Sequence, residues 1–441
     1  MPASVQGVVE RPRAADSEAA RAWQPADANA ALLYSQRQKR MADVIALRQP
    51  DRVPMIYSST FWHAAYAGIS LRAAMYDYDA LAAAFRKAVL ALEPDAASSP
   101  FGLVALGPVL EMVGFRAYQW PGHGLPDNRP YQYLDREYMT ADEYDLYLEE
   151  PNWFILTRYM PRVAEAFAPF AQIPWLNGSS NVRLVFRVHH FANKDTAAAF
   201  TRMVEAGEEA RRMAERDQAF AAELKAMGFP LAAAAMATAP YDYFADFFRG
   251  SKGIMLDLRR RPDKLLAAMQ KVVPLLISDA VASAQANEGA IVFIPLHWGL
   301  DGFMSLDQFK TFYWPPLRQV MMGLIEAGLV PMVFWEGNCN SRLETIADIP
   351  PGTCIYQFER SDIFRAKAIL GGITCLRGNV PPSLLIGGTP EDVRDYCRKL
   401  IDVVGKGGGF ILEGATSVPN EARLDNVFAM YESAKTYGRY A

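Results

Sequence analysis

The sequence predicts an α/β protein built on a parallel sheet with helices on both faces. From about residue 171 onward, short apolar runs alternate with segments of helical spacing. Examples of these runs are 290–297 (AIVFIPLH), 329–337 (LVPMVFWEG) and 408–414 (GGFILEG), each bounded by turn residues. Apolar strands of about four to eight residues separated by helices are typical of a parallel sheet buried on both sides. A length of 441 residues suits one large α/β domain.

The pattern divides the chain into an N-terminal arm at residues 1–40 and a main domain at residues 41–441. The arm begins with a segment rich in Ala, Arg, Glu and Pro that lacks apolar periodicity, which predicts a mobile or partner-contacting tail. Residues 29–49 have helical spacing and stop at Pro50, so they predict a helix before the first strand. Residues 79–151 contain helical segments and then, at 121–145, a stretch dense in Gly, Pro, Asn and Tyr, which predicts a long irregular excursion of the kind that often covers an active site.

Composition and charge favour a cytoplasmic protein that binds a small molecule. The formal net charge of −4 gives no electrostatic attraction to nucleic acid or to an anionic membrane. The four cysteines have no C-x-x-C spacing, which predicts reduced thiols. We also expect no signal peptide and no transmembrane span, since no apolar run approaches the ~20 residues that a bilayer requires. A homodimer is compatible with this composition.

Polar side chains follow the late apolar runs at the points where the predicted strands end. The carboxyl ends of parallel strands lie at one edge of the sheet, so these side chains are expected to converge. Ionisable groups gathered in this way can act as general acid and base or bind a divalent metal. The candidates in chain order are His297, Asp301, Glu336, Asn338, Arg377, Asn379, Glu413 and Thr416.

His297 and Glu336 are the leading candidates for chemistry. His297 lies between Leu296 and Trp298, where a structural histidine bonded to a backbone carbonyl is the alternative. Glu336 follows the apolar run PMVFW, and a carboxylate at that place must be paired, solvated or catalytic.

Glu413, Arg377, Asn379 and Asp301 each have a functional and a structural interpretation. Glu413 is either a third catalytic carboxylate or the partner of Arg377 in a structural ion pair. Arg377 and Asn379 could bind a carboxylate or phosphate of the substrate. Asp301 is a substrate-binding candidate, although a helix cap is the favoured role for it and for Ser305.

The other histidines and the aromatic residues give weaker signals. His63 follows the first strand and could line the pocket, as could His123. His189 and His190 are adjacent in sequence and therefore cannot lie on one face of a strand, which favours a surface role. The tyrosines of the excursion suit the stacking of a planar ligand or simple packing on the sheet. They are Tyr131, Tyr133, Tyr138, Tyr144 and Tyr147.

Four passages in order resemble the uroporphyrinogen decarboxylase superfamily over roughly residues 40–437. They are ALRQPDRVPM at 46–55, MATAPYDYFADFFRGSKGIMLDLRRRPDKL at 236–265, CLRGNVPPSLLIGGTPEDV at 375–393 and GGFILEGATSVPNEARLDNVFAMYE at 408–432. The resemblance implies a (β/α)₈ TIM-type barrel with a deep pocket at the carboxyl ends of its strands. It extends the predicted parallel sheet to a closed one.

The resemblance also implies two kinds of activity, and the sequence departs from the pattern of each. Decarboxylases of the superfamily carry an arginine-bearing loop after the first strand, whereas this chain reads MIYSSTFWHAAYAG with no arginine before Arg72. The corrinoid-linked methyltransferases that activate thiols carry a His-x-Cys…Cys zinc site. Phe334, Glu336 and Ala415 stand near those three positions here, and phenyl and methyl groups coordinate no metal.

The leading hypothesis is therefore a corrinoid-linked methyltransferase or demethylase of a small, aromatic or methoxylated molecule, with His297, Glu336 and Glu413 as catalytic residues. The substrate-binding candidates are Arg377, Asn379, Asn338, His63 and Asp301. A separate corrinoid protein is implied as partner, since no D-x-H-x-x-G cobalamin motif is present. A divalent metal held by Glu336 and His297 is left open. The alternatives are a cofactor-independent decarboxylase or lyase of a small carboxylated aromatic, and a non-catalytic binding barrel.

Overall fold

The computed structural model describes residues 24–440 and confirms an α/β architecture with parallel strands. The first 23 residues of the predicted arm lie outside the described residues. The strands are β1 Ile56–Tyr57, β2 Ala96–Ala97, β3 Tyr118–Pro121, β4 Gly124–Leu125, β5 Gln132–Tyr133, β6 Ala235–Met236, β7 Ile291–Leu296, β8 Val330–Trp335, β9 Ile355–Phe358, β10 Cys375–Val380 and β11 Phe410–Gly414.

The helices pack on the outer face of the strands and fill the long connections. They are α1 Ala28–Ile45, α2 Trp62–Ala67, α3 Leu71–Tyr76, α4 Tyr78–Leu92, α5 Phe101–Val104, α6 Gly107–Val113, α7 Tyr144–Glu149, α8 Pro151–Phe154, α9 Met160–Val163, α10 Asn181–Phe186, α11 Lys194–Ala226, α12 Pro240–Phe244, α13 Gly250–Arg260, α14 Pro262–Ala286, α15 Leu306–Gln308, α16 Trp314–Glu326, α17 Ile363–Leu370, α18 Pro382–Gly387, α19 Pro390–Val403 and α20 Leu424–Tyr437. Shorter 3₁₀ turns occur at Glu165–Gln172, Arg187–Ala192 and Asn340–Arg342, and π-helical turns at Ile155–Tyr159, Ala245–Arg249 and Phe309–Tyr313.

The late strands form one parallel sheet of six in the order β11-β10-β9-β8-β7-β6, and β1 and β2 form a second parallel pair. Isolated parallel bridges join the two sheets at both edges. Met55 pairs with Leu412 beside β11, and Ala97 pairs with Leu231 just before β6. All eight strands therefore run in the same direction, and their carboxyl ends lie at one edge, which we call the carboxyl edge.

The strands form in segments that are rich in apolar residues and in which buried residues alternate with partly exposed ones. On β7 the residues Val292, Ile294 and Leu296 are buried, and the residues between them keep partial exposure. Successive side chains of a strand point to opposite faces, so one face of β7 packs beneath helices and the other faces the interior of the sheet. That interior face positions the candidate site.

The opposite edge of the strands is closed by α1. Met41 and Val44 of this helix form one apolar cluster with interior side chains of the strands, among them Ile56, Ile355 and Ile411. The predicted helix at residues 29–49 is confirmed, and it runs without a break through the predicted boundary between arm and main domain at residue 40. Packing of α1 leaves the carboxyl edge as the accessible end of the interior.

The helix starts confirm the cap predicted at Ser305, whereas the cap favoured for Asp301 is wrong, because that side chain bonds to Ser341 in the loop after β8. Ser305 and Gln308 form a reciprocal capping box at α15, and Thr389 and Asp392 form another at α19. Among the described residues, one helix, α14, is long and apolar enough to cross a membrane by length and composition. Here α14 packs against α16 and α7 through one face.

The helical segments predicted after residue 79 are confirmed, and the irregular stretch at 121–145 is more regular than the sequence predicts. Residues 78–92 form α4, because Asp77 caps the helix and apolar side chains repeat on its buried face. The excursion follows β2 and includes a small sheet in the order β4-β3-β5. The Gly and Pro residues make this stretch look irregular in the sequence, but they belong to the tight turns of the sheet. In these turns Gly122 and Gly124 have φ of +85° and +84°.

Candidate active site

The sheet register brings His297, Glu336 and Glu359 to one level of the carboxyl edge. Leu296 is paired with Trp335, and Trp335 with Phe358, at the ends of β7, β8 and β9. The next residue on each chain therefore follows at the same height. Three ionisable side chains on adjacent strands thus line one wall of the interior.

His297 is held between two carboxylates. Its Nδ1 lies 2.6 Å from Oδ2 of Asp246, and its Nε2 lies 3.6 Å from Oε1 of Glu336. The Trp298 indole Nε1–H donates to the other Asp246 oxygen at 2.7 Å. Asp246 therefore fixes the orientation of the imidazole and directs Nε2 toward Glu336. The imidazole is about 41% exposed, so a ligand can reach this contact.

Asp242 supports this arrangement from a fully buried position. Its Oδ2 accepts the backbone N–H of His297 and the hydroxyl of Tyr313, both at 2.8 Å. The other carboxylate oxygen has no hydrogen-bond partner. Burial and the nearby Asp246 charge raise the pKa of Asp242 to about 7 against the opposing effect of His297. The end of β7 is thus anchored by a carboxyl group that holds a proton more readily than an ordinary aspartate does.

The same environment shifts the pKa values of His297 and Glu336. Burial alone would lower the pKa of His297, but the hydrogen bond and charge of Asp246, with smaller contributions from other carboxylates, raise it to about 9. Burial raises the pKa of Glu336 to about 7, although the neighbouring His297 opposes the shift. At neutral pH the pair therefore contains an imidazolium and a carboxyl group close to its titration midpoint.

Glu413 and Arg377 form a closed ion pair in the interior. The Arg377 Nε–H donates to one Glu413 oxygen, and the Ser58 hydroxyl donates to the other. Both charged side chains are almost fully buried, and burial raises the pKa of Glu413 against the effect of Arg377. No hydrogen bond or ion pair joins Glu413 to His297 or Glu336, all three being described residues. Glu413 is therefore the partner of Arg377 in a structural ion pair, which was the alternative to a catalytic role for this residue.

Asn379 borders a pocket of about 470 Å³ at the ends of β9 and β10. Its amide nitrogen donates to the Ser361 carbonyl at 3.4 Å, and its oxygen accepts the Tyr396 hydroxyl at 3.2 Å. Glu359 lines the same pocket and accepts the Gly337 N–H at 2.6 Å, directly after Glu336. Asn379 on β10 is therefore placed two strands beyond Glu336 and one strand beyond Glu359.

Asp301 and Asn338 connect the loops after β7 and β8. Asp301 accepts the hydroxyl of Ser341 at 2.8 Å and lies 3.3 Å from Nε of the buried Arg342. The Asn338 carbonyl accepts the Asp301 N–H at 2.8 Å, and its exposed side chain caps Asn340 at 3.0 Å. These bonds engage both Asp301 oxygens within the protein, and the exposed Asn338 side chain accepts one bond through its oxygen.

His63 does not line the site. It lies on α2 with no exposed surface, its ring packs edge-on against Phe85, and neither ring nitrogen has a hydrogen-bond partner. Burial lowers its pKa to about 3, so it is neutral. The sequence position after β1 suggested the pocket, but helical periodicity turns this side chain toward α4.

Of the remaining histidines and the tyrosines of the excursion, some border the site and others lie away from it. His123 stacks on Trp120, and His189 and His190 lie on a 3₁₀ turn without buried residues. Of the excursion tyrosines, Tyr133 donates its hydroxyl to the Asp246 carbonyl at 2.7 Å and so borders the site. Three others have buried side chains within apolar clusters, namely Tyr138, Tyr144 and Tyr147.

Partly exposed apolar side chains of the interior face precede His297 and Glu336 along β7 and β8, and we call the space that they border the apolar chamber. Phe293 and Phe334 are partly exposed on the interior face, with ring centroids 6.4 Å apart and planes at 23°. Met236 is paired with Phe293 in the sheet and remains 51% exposed although it belongs to a strand. Exposed apolar side chains in a concave site are typical of a binding pocket for an apolar or aromatic group.

The residues present do not fit the zinc site that the family resemblance implies. Phe334 and Ala415 offer no donor atom, and Glu336 alone cannot hold the ion. Across residues 24–440, no group of three or more His, Cys, Asp or Glu side chains is arranged to bind a metal.

Comparison with known proteins decides the family. The family model described as Uroporphyrinogen decarboxylase (URO-D) matches residues 194–437, more than half of the chain. The chain belongs to the uroporphyrinogen decarboxylase family. This URO-D family assignment confirms the resemblance, and the matched region includes β6–β11 and every residue of the His297 and Glu336 wall.

Individual relatives are distant. The uroporphyrinogen decarboxylase of Saccharophagus degradans is 30% identical over 154 residues, which are 34% of this chain and 42% of that protein. The uroporphyrinogen decarboxylase of Coxiella burnetii is 24% identical over 184 residues, 41% of this chain and 49% of that protein. The chain thus spans about half the length of the curated relatives it matches.

A solved structure extends the likeness of fold to most of the chain. The methyltransferase from Methanosarcina mazei superposes with a TM-score of 0.60 at 14% identity, covering 91% of this chain and 98% of that one. Identity this low supports a shared URO-D-like fold and no more.

Sequence reasoning missed Glu359, which ends the apolar run CIYQFE as Glu336 ends PMVFWE, and it missed the two aspartates Asp242 and Asp246. The two aspartates lie four apart in the aromatic run PYDYFADFF, after the β6 strand. Four-residue spacing near a helix start places two side chains on one face, and carboxylates among so many aromatic residues require partners. That pattern was the available signal.

Proposed function

We propose that this chain is a corrinoid-linked methyltransferase or demethylase that acts on a small methoxylated aromatic molecule at the mouth of a closed (β/α)₈ barrel. Eight parallel strands and the bridges at both sheet edges support the closed barrel. The URO-D family match supports an enzymatic role, and methyl transfer is consistent with the fold shared with a methyltransferase.

The observation that carries the proposal is the His297 and Glu336 pair above the apolar chamber. Removal of a methyl group from an aryl ether leaves an oxygen that must take up a proton. Glu336 has its pKa raised to about 7 and His297 to about 9, so both can hold a proton at neutral pH. A ring bound between Met236, Phe293 and Phe334 would present its substituent to this pair.

The steps assigned to the chain's own residues are binding, orientation and proton delivery. Phe293 and Phe334 hold the ring, Asp246 orients His297, and Glu336 donates its carboxyl proton to the departing oxygen. A proton from solvent then returns to Glu336, either directly or by way of Nε2 of His297, which lies 3.6 Å from the carboxylate and takes up a replacement proton from solvent. The acid is thereby restored for the next turnover.

A corrinoid carried by a separate protein would supply the nucleophile that takes the methyl group. The carboxyl edge, which α1 leaves open, is the end from which a planar cofactor would approach the partly exposed His297 imidazole. Because the zinc donors are missing, we assign this chain to ether rather than thiol chemistry.

A second candidate function is decarboxylation of a small carboxylated aromatic, supported by the decarboxylase names of the curated relatives. Arg377 is already engaged by Glu413, so the cation that would face a substrate carboxylate is His297. Glu336 would then supply the proton that replaces carbon dioxide.

The test uses the full-length protein, reduced free cobalamin as methyl acceptor, and matched panels of methoxybenzenes and benzoates. We expect loss of the methyl group from a methoxybenzene with equimolar methylated cobalamin and phenol. Release of carbon dioxide from a benzoate without corrinoid would replace this proposal with the second candidate. Binding without turnover of either panel would contradict both and favour a non-catalytic barrel.

A further inference from the structure

A pocket of about 430 Å³ lies between the excursion and the start of α13. Residues 135–137 of the excursion form one side, and α13 with the residues that flank it, Arg249 and Arg261, forms the other. The two sides approach closely at Gly250, where a Cβ atom would lie 2.9 Å from the carbonyl oxygen of Arg136. The lining includes no residue of the His297 and Glu336 wall, so this pocket is separate from the candidate active site.

The lining of the pocket carries an excess of positive charge. Five of its side chains are cationic and three are acidic, so their formal sum is +2, although the whole chain has a net charge of −4. The cations are Arg136, Arg249, Lys252, Arg260 and Arg261. A concave surface with one sign of charge concentrates ions of the opposite sign.

The three acids of the lining are already engaged by the protein. Asp135 accepts the backbone N–H of Ser251 at 2.9 Å, at the start of α13. Asp257 is fully buried and accepts the Nε–H of Arg249 at 2.6 Å, and Glu137 pairs with the same guanidinium group. These bonds occupy Arg249 and the acids together, so the excess charge resides on the remaining cations.

Three of those cations have no counter-ion. Among the described residues, the side chains of Arg136, Lys252 and Arg260 form no hydrogen bond and no ion pair, and the Arg261 guanidinium lies 4.0 Å from Asp257. Lys252 and Arg260 are eight residues apart on α13, which is about two turns, and so project from the same face of the helix. Like charges that line one cavity repel each other until an anion lies between them. The pocket therefore has the charge arrangement of an anion-binding site.

The charge and the size of the pocket favour a phosphate monoester. Such a group carries about −1.5 to −2 at pH 7, which balances the formal excess of +2. Guanidinium groups bind phosphate oxygens through two parallel hydrogen bonds. The volume of about 430 Å³ lies within the range of small-molecule sites, and Ala141 and Leu256 add apolar surface to the lining. The pocket thus has room for the organic group that carries the phosphate.

The pocket adjoins the turn that carries Asp246. This π-helical turn ends at Arg249, three residues after Asp246. The excursion holds the turn from outside, because the backbone N–H groups of Tyr138 and Met139 donate to the carbonyl of Phe248 at 2.7 and 2.8 Å. An anion held between the excursion and α13 would strengthen this attachment and keep Asp246 in place.

From these observations we propose that the pocket binds a small phosphate monoester and that its occupation stabilises the turn that carries Asp246. Arg136 contacts the phosphate from the excursion, and Lys252 and Arg260 contact it from α13. The organic group lies against Leu256. This binding site does not depend on which reaction the carboxyl edge catalyses.

Isothermal titration calorimetry of the full-length protein with propyl phosphate tests the binding site. We expect one site with a dissociation constant below ~1 mM, and binding at least ~10-fold weaker in Arg136→Gln and in Arg260→Gln, because each variant loses a charge-assisted contact. Arg259→Gln is the matched control, because this exposed arginine lies on α13 but outside the lining. Absence of binding, or equal weakening in Arg259→Gln and Arg260→Gln, would overturn the proposal.

Two further titrations test the ligand class and the location. Propanesulfonate carries a single charge and should bind at least ~5-fold more weakly than propyl phosphate, whose charge is larger. His297→Gln should leave the affinity for propyl phosphate unchanged. Equal affinity for the two ligands would overturn the phosphate class, and loss of binding in His297→Gln would move the phosphate to the active site.

Amide hydrogen exchange tests the effect on the turn. The amides of Tyr138 and Met139 report the bonds to Phe248. Because the pocket spans the two sides that separate when these bonds open, propyl phosphate at ten times its dissociation constant should slow their exchange about tenfold. We expect no such slowing in Arg260→Gln. Unchanged exchange in the saturated wild type would overturn the coupling to Asp246.

Discussion

Glu336 and Glu413 begin from the same sequence signature and reach opposite environments. Each follows a buried apolar strand, but Glu336 faces the titratable His297 near solvent, whereas Glu413 is enclosed by Arg377 and Ser58. The first carboxyl group has a pKa near the working pH and an open approach, and the second is held in a fixed ion pair. A carboxylate after a strand therefore becomes reactive or structural according to the residue that the neighbouring strand places beside it.

The largest expected effect is on turnover in Glu336→Gln. Loss of a positioned general acid lowers rates by about 10²–10⁴-fold, and glutamine keeps the volume of the side chain without its proton. We expect kcat/KM for the methoxybenzene to fall within that range and the free energy of unfolding to stay within about 1 kcal/mol. Asn338→Ala, in the same loop, is the control. Equal losses in the two variants would remove the special role of Glu336.

The complementary effect on stability is expected in Glu413→Gln. Removal of one partner from a buried ion pair leaves the other uncompensated and lowers the free energy of unfolding by about 3–5 kcal/mol. Denaturant unfolding measures the change. The double variant Arg377→Met/Glu413→Leu should recover most of the loss, since it buries no charge. A Glu413→Gln variant of full stability but without turnover would transfer Glu413 to the catalytic group.

Asp246→Asn separates orientation from proton transfer. Without the carboxylate, the hydrogen bond and charge that raise the pKa of His297 are lost, and we expect a roughly 10–100-fold lower kcat with little change in KM. Asp307→Asn, on exposed α15, is the comparison variant for a distant carboxylate. A change confined to KM would indicate that Asp246 contacts the substrate instead.

The pH dependence of wild-type turnover gives a smaller effect with a defined sign. The acid form of Glu336 exists below its pKa of about 7, so kcat/KM should fall about tenfold per pH unit above that value. The contribution of His297 to stability is present below its unfolded pKa of about 6.5 and is lost as pH rises through about 9. A rate that increases above pH 7 would require Glu336 to act as a base.

The smallest effect is expected in Asp301→Ala. This side chain bonds to Ser341 and approaches Arg342, so its removal should lower the free energy of unfolding by about 1–2 kcal/mol without a change in KM. Thermal unfolding and steady-state kinetics check both statements. A KM that rises while stability is retained would return Asp301 to the substrate-binding residues.

The polar residues at the strand ends could be predicted from the sequence, but the side chains that contact them could not. Apolar runs located β7, β8, β10 and β11, and each run pointed to the polar residue that follows it. The contact of His297 with Asp246 joins residues 51 positions apart and depends on how the helical turn after β6 packs over β7. A pattern of neighbouring residues does not predict a contact between residues so far apart in the sequence.

His63 and Glu413 show the same limit of prediction from sequence. Both were candidates for the site, and the contacts of both remove them from it. Both candidates follow strands, yet helical periodicity buries His63 against Phe85, and the register of β10 and β11 closes Glu413 onto Arg377. The sequence included the ion pair as an alternative because adjacent strands were expected. The sequence contained no signal for the direction in which the His63 imidazole points.

An NMR titration of the His297 imidazole, assigned by comparison with His297→Gln, tests the contrast between the two carboxylates most directly. The account predicts a pKa of about 9 in the wild type, a return toward the ordinary value of about 6.5 in Asp246→Asn, and no change in Glu413→Gln. A wild-type pKa near 6.5, or one that shifts with Glu413 and not with Asp246, would contradict the assignment of proton chemistry to the carboxyl edge.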